Sequence, residues 1–79
     1  MKYVYILQSE TNPDRHYVGI TDDLRARLRK HNRAEVPHTA KHGPRRVKTY
    51  IAFSNAGSAV AFERYLKSAS GRAFAKKRL

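Results

Sequence analysis

Tyr3-Val4-Tyr5-Ile6-Leu7 is an unbroken run of aromatic, β-branched and apolar side chains near the start of the chain. Such a run favours a strand buried on at least one face. A second short run, His16-Tyr17-Val18-Gly19-Ile20, follows after Ser9 to Asp14, where Asn12 and Pro13 supply turn chemistry. The two runs are close enough in sequence to pair as a hairpin. That pairing would bring the rings of Tyr5 and Tyr17 into one region.

The pattern then changes to helical. Thr21 is suited to cap a helix running to about Asn32, with Asp22 and Asp23 in the first turn where the helix dipole favours negative charge. Leu24 and Leu28 form its short apolar stripe, and Arg27 and His31 lie one turn apart beside that stripe. From Arg33 to Arg46 the chain carries Pro37, Gly43 and Pro44 and reads as a long connection, the kind of loop that often has a function. Val47 to Phe53 reads as a third strand, with Val47, Thr49, Ile51 and Phe53 on the core face. A second helix is expected over Ala59 to Ala69, burying Ala59, Phe62, Leu66 and Ala69 with Glu63 at the core margin. Arg72 to Leu79 would form a short terminal helix capped by Ser70. The expected architecture is α/β of the α+β kind: a small three-stranded, mostly antiparallel sheet flanked by helices, in the order β-β-α-β-α-α. Residues 1–79 are expected to form a single domain, since a chain of this length buries too little surface for two cores.

Charge narrows the class of partner. The chain has 17 Lys+Arg against 6 Asp+Glu, a formal net charge of +11, and a field of that size gathers polyanions. Nucleic acid is the expected partner. A membrane role is not expected, because the apolar runs are strand-length and no basic amphipathic helix or apolar leader is evident; a cytoplasmic location is. The chain contains no cysteine, which excludes disulfides and thiolate metal sites, and none of its four histidines forms a zinc-binding pattern. Glu63 is the only acidic residue after Glu35, in a stretch rich in lysine and arginine.

Four features of this order carry a resemblance. Tyr17-Val18-Gly19-Ile20-Thr21-Asp22-Asp23-Leu24, followed by Arg27-Leu28 and His31-Asn32, is similar to the second half-motif and arginine helix of the GIY-YIG nuclease superfamily, in its small single-domain bacterial branch. Tyr3-Val4-Tyr5 stands where the first half-motif belongs, with tyrosine in place of its glycine. Phe62-Glu63-Arg64-Tyr65-Leu66-Lys67 resembles the late helix whose glutamate binds metal, and Lys67 to Lys76 resembles the tail of the small branch. The chain departs from many of these nucleases in one respect: no asparagine follows the glutamate helix. The resemblance then implies either that Ser68, Ser70 or Arg72 contacts phosphate in its place or that activity is weaker than in the larger relatives.

The resemblance implies a divalent-metal-dependent endonuclease that hydrolyses phosphodiester bonds in DNA, single-stranded or branched DNA included, in DNA processing or repair. Glu63 would hold Mg2+ or Mn2+ through one carboxylate plus waters, and Arg27 would donate to the nonbridging oxygens. Tyr5 would be the general base, with Tyr17 and His31 orienting water and phosphate, or His31 would take the proton instead. With a free-phenol pKa of about 10, Tyr5 needs nearby cations to favour phenolate, and the rate would then rise between roughly pH 7 and 9.5. Gly19 would let phosphate approach the backbone, and Lys41, His42, Arg45, Arg46, Lys67, Ser70, Arg72 and Lys76 would contact nucleic acid.

Each residue also has a structural reading. Tyr5 and Tyr17 are ordinary strand aromatics, and Gly19 can simply end a strand. Arg27 and His31 suit a solvated helix face. Glu63 suits an ion pair with Lys67 one turn on, worth about 0.3 to 0.5 kcal/mol. Two other functions fit the same sequence: a module of this fold that holds nucleic acid without cutting it, and an interaction module recruited to nucleic acid by a protein partner.

Overall fold

The computed structural model describes residues 1–33 and 44–79. They form strands β1 (Lys2–Ser9), β2 (His16–Thr21) and β3 (Arg45–Phe53), with helices α1 (Leu24–Asn32), α2 (Ala56–Lys67) and α3 (Ala69–Arg78). The order is β-β-α-β-α-α, as the sequence led us to expect. The sheet runs β2-β1-β3 and is antiparallel throughout. Among the described residues no helix is long and apolar enough to cross a membrane.

β1 takes the centre because its residues need cover on both sides: Val4, Tyr5, Ile6 and Leu7 are all buried. Val4 and Ile6 pack with Ala59 and Leu66 of α2, and Val18, Ile20, Phe53, Phe62, Ala75 and Leu79 close around them. Full burial of side chains of this size contributes about 1.5 to 3 kcal/mol each before entropy is counted. Tyr5, Leu7 and Ser9 alternate onto the opposite face, where His31 of α1 meets Tyr5. The sheet thus lies between α1 on one side and α2 with α3 on the other.

The third strand corrects one expectation. Thr49 pairs with Ile6 but Val47 pairs with Leu7, so Lys48 is an extra residue at an irregularity in the ladder. A bulge shifts the side-chain period by one. Thr49, Ile51 and Phe53 therefore share the face of Val4 and Ile6, whereas Val47 and Arg45 lie opposite Leu7 and Ser9 on the α1 side.

Helix boundaries differ from the expected ones by a few residues. Asp23, not Thr21, caps α1 by accepting from the Ala26 N–H at 3.0 Å. Thr21 Oγ1 instead accepts from the Asp23 N–H at 3.1 Å and braces the cap. Asn55 caps α2, which starts at Ala56, and Ser68 rather than Ser70 caps α3, accepting from the Gly71 N–H at 3.1 Å. Ala69 consequently opens α3 instead of closing α2. Gly71 is required at that junction, since an added Cβ would collide with the Tyr65 carbonyl oxygen.

Candidate active site

Strand register sets the first two members of the site. Tyr5 stands across from Gly19 and Leu7 across from Tyr17, so both phenols project from the α1 face of the sheet. His31, in the last turn of α1, turns into the same space. Its Nε2 lies 3.3 Å from the Tyr5 hydroxyl. The His31 ring centroid is 4.7 Å from that of Tyr17 and 6.1 Å from that of Tyr5, and the two phenol rings are 6.4 Å apart. Tyr5 and His31 are each 1% exposed, while Tyr17 and Arg27 are half-buried. The outer rim of the cluster is therefore Tyr17 and Arg27, with Tyr5 and His31 behind.

Arg27 joins the cluster because it sits four residues before His31 on one helix face, and its charge acts on both Tyr5 and His31. Glu63 comes from α2, beyond the other face of the sheet, yet its charge also reaches the Tyr5 phenol. Its side chain is 15% exposed and its Oε2 accepts from the Lys67 ammonium at 2.6 Å. The structure thus packs Tyr5, Tyr17 and His31 together, and the charges of Arg27 and Glu63 act on the Tyr5 phenol from two helices.

Gly19 has a reason that the sequence did not suggest. A Cβ built there would collide with the Tyr5 hydroxyl and lie 3.1 Å from Cε1 of Tyr17. The space over Gly19 is filled by the catalytic candidate itself, so the glycine makes room for a phenol and not for a phosphate.

Electrostatics favour His31 over a Tyr5 phenolate as the proton acceptor. Burial, then Tyr17, push the Tyr5 pKa up to about 12; Arg27 pulls against them and Glu63 adds to them. Counting cations along the chain points the other way, because desolvation of the charged form outweighs a single neighbouring guanidinium. His31 moves oppositely: burial first, then Arg27 and Arg45, hold its pKa below the ordinary histidine value. At neutral pH the pair consists of a protonated phenol and a neutral imidazole, and in the tautomer that carries its proton on Nδ1 the Tyr5 O–H donates to Nε2.

The predicted phosphate contacts separate into groups. Arg46, Lys67, Ser70, Arg72 and Lys76 are exposed, and Arg46 donates from Nη2 to Gln8 Oε1 at 3.1 Å. Arg45 does not belong with them. It opens β3, is 4% exposed, and burial lowers its pKa. Lys41 and His42 lie outside the described residues. Sequence reasoning overlooked Asn32, whose side chain accepts from the Arg45 N–H at 2.6 Å and donates to the Arg45 carbonyl at 3.1 Å. An asparagine ending a helix just before a long connection was the available signal.

The family whose model is described as the GIY-YIG catalytic domain matches residues 1–78. No curated protein and no solved structure matches the chain.

Proposed function

The chain belongs to the GIY-YIG catalytic-domain family, a nuclease family, and from that premise we propose that it is a divalent-metal-dependent endonuclease acting on DNA, with a role in DNA processing or repair. The observation that carries this reading is the packing of Tyr5, Tyr17 and His31, with the charges of Arg27 and Glu63 acting on Tyr5, in a chain of formal charge +11. Separate elements supply a guanidinium, a neutral base, two phenols and one carboxylate, the groups that phosphodiester hydrolysis needs.

Glu63 fits a hard cation that keeps most of its water. Its carboxylate is mostly buried and already attracts the one ammonium within reach on its own helix, and Mg2+ or Mn2+ is commonly held by one or two carboxylates with waters and substrate phosphate. When bound, the ion would screen charge on the leaving oxygen. Arg27 donates to the nonbridging oxygens as the negative charge on them grows. Tyr17, at the rim, orients the attacking water. The water proton reaches His31 by way of the Tyr5 hydroxyl, which gives its own proton to Nε2 as it accepts another. Tyr5 is neutral before and after.

One observation favours the alternative of a nucleic-acid-binding module that does not cut: the Glu63–Lys67 ion pair already satisfies one carboxylate oxygen. Incubating the protein with DNA in Mg2+, Mn2+ or EDTA, beside Glu63→Ala and Arg27→Ala, separates the two. Metal-dependent products lost in both variants support the nuclease. Binding without products from any substrate assigns the module, and cleavage that survives Glu63→Ala rejects the site.

A further inference from the structure

A groove of about 660 Å3 opens between the sheet and the α2–α3 pair, a volume within the range of sites for small organic groups. Its floor is apolar, made by Ile6, Val18, Leu66 and Ala75. Lys48, Lys67, Arg72 and Lys76 stand around it, and Asp14 is the one acidic residue lining it. Burial, followed by the Lys48 ammonium, depresses the pKa of His16 at its wall, against a smaller opposing effect of Asp14. The groove is thus apolar beneath and cationic above.

It shares Tyr17 with the candidate active site and touches Glu63 through Lys67. Tyr17 lines the groove while its ring packs on His31, and Lys67 lines it while its ammonium holds Glu63. A ligand that fits must be polyanionic at its edge and flat and weakly polar in its body. Phosphate alone does not use the apolar floor, and a paired base inside a duplex cannot present its face to it. An unpaired nucleotide meets both requirements, because every base has a π-face that tolerates an apolar surface and every linkage carries a charge.

We propose that this groove holds an unpaired base of the substrate strand beside the phosphate being cut, so that the protein acts where single-stranded chain flanks the scissile bond. The assignment rests on the nuclease reading for the word "cut", but base capture itself does not. Binding is measured in EDTA at one fixed salt concentration by fluorescence anisotropy, using a single strand, the same strand with abasic sites throughout, and a blunt duplex of equal length. The base-bearing strand is expected to bind at least about tenfold more tightly than the abasic strand, which has the same charge. Ala75→Leu, which narrows the floor, brings the base-bearing strand down to the abasic level and leaves the abasic strand unchanged.

Equal binding of base-bearing and abasic strands by the unaltered protein overturns the proposal, whatever the variant does. So does tighter binding of the blunt duplex than of the single strand. Concentration-dependent dimerisation that Ala75→Leu abolishes, with no preference for bases, assigns the groove to a second copy of the chain instead. Base capture without cleavage in either Mg2+ or Mn2+ removes the nuclease reading and keeps the groove; cleavage without base preference does the reverse.

Discussion

The Tyr5 hydroxyl lies 3.3 Å from His31 Nε2, and burial moves the two pKa values apart, the phenol upward and the imidazole downward. Both groups are therefore uncharged at neutral pH. A phenolate base would make the rate climb roughly tenfold per pH unit toward about 12. An imidazole acceptor with a lowered pKa is already neutral, so chemistry-limited cleavage should be flat from about pH 7 to 9.5. It should fall only at acid pH, below the ordinary histidine value of about 6.5, as His31 gains a proton. Single-turnover rates across that range decide it, and a continuous rise would return the role to phenolate.

Tyr5→Phe keeps the ring and removes the hydroxyl. We expect a loss of about 0.5 to 1.5 kcal/mol for the hydrogen bond and a cleavage rate lower by about 100-fold. The pH dependence of stability gives a separate signature. Folded Tyr5 keeps its proton up to about 12 whereas the unfolded phenol loses it near 10.0, so native stability declines as pH rises through that window. Denaturant titrations at pH 9 and 11 should show a smaller decline in Tyr5→Phe than in the parent.

At Gly19, alanine is expected to cost about 1 to 3 kcal/mol, because its methyl group enters the volume of the Tyr5 phenol. The displaced ring must leave His31, so activity should fall together with thermal stability. A variant as stable as the parent would show that the strand pair yields without moving Tyr5.

Asn32→Ala removes both hydrogen bonds to the Arg45 backbone. With about 0.5 to 1.5 kcal/mol for each bond, the denaturation midpoint should drop by an amount worth about 1 to 3 kcal/mol. Asn32→Asp retains the acceptor and loses the donor, and should fall between the two.

Glu63→Gln tests the carboxylate without changing its shape. Cleavage in Mg2+ is expected to fall by at least about 100-fold, since the charge that holds the ion is gone. Stability should change by no more than about 0.5 kcal/mol, because the lost pair with Lys67 joins neighbours on one helix and Lys67 is half-exposed. A large stability loss with cleavage intact would make Glu63 a structural residue.

How much of this was legible depended on the range of the interaction. The Tyr3–Leu7 run announced β1, and helical spacing placed Arg27 with His31 and set Glu63 at the core margin, because period and burial are local properties of sequence. Arg45 and Lys48 were not legible. Whether a cation at a strand end turns in or out depends on the register with β1, and one extra residue in the ladder changes it. Gly19 was ambiguous for a similar reason, as its neighbour in space is a tyrosine fourteen positions away. The effect of burial on Tyr5 was not legible, because composition counts cations and knows nothing of burial.

β1 comes first in the chain but occupies the middle of the sheet. During synthesis its hairpin with β2 can form early, while its other edge waits for β3, whose Phe53 pairs with Lys2. Until then a strand of buried residues presents unpaired backbone groups, a template for association with other chains. Closure of the sheet and arrival of Glu63 on the helix that follows β3 are neighbouring events in this order. The exposed edge of β1 and the incomplete active site are therefore two consequences of the same missing strand and helix.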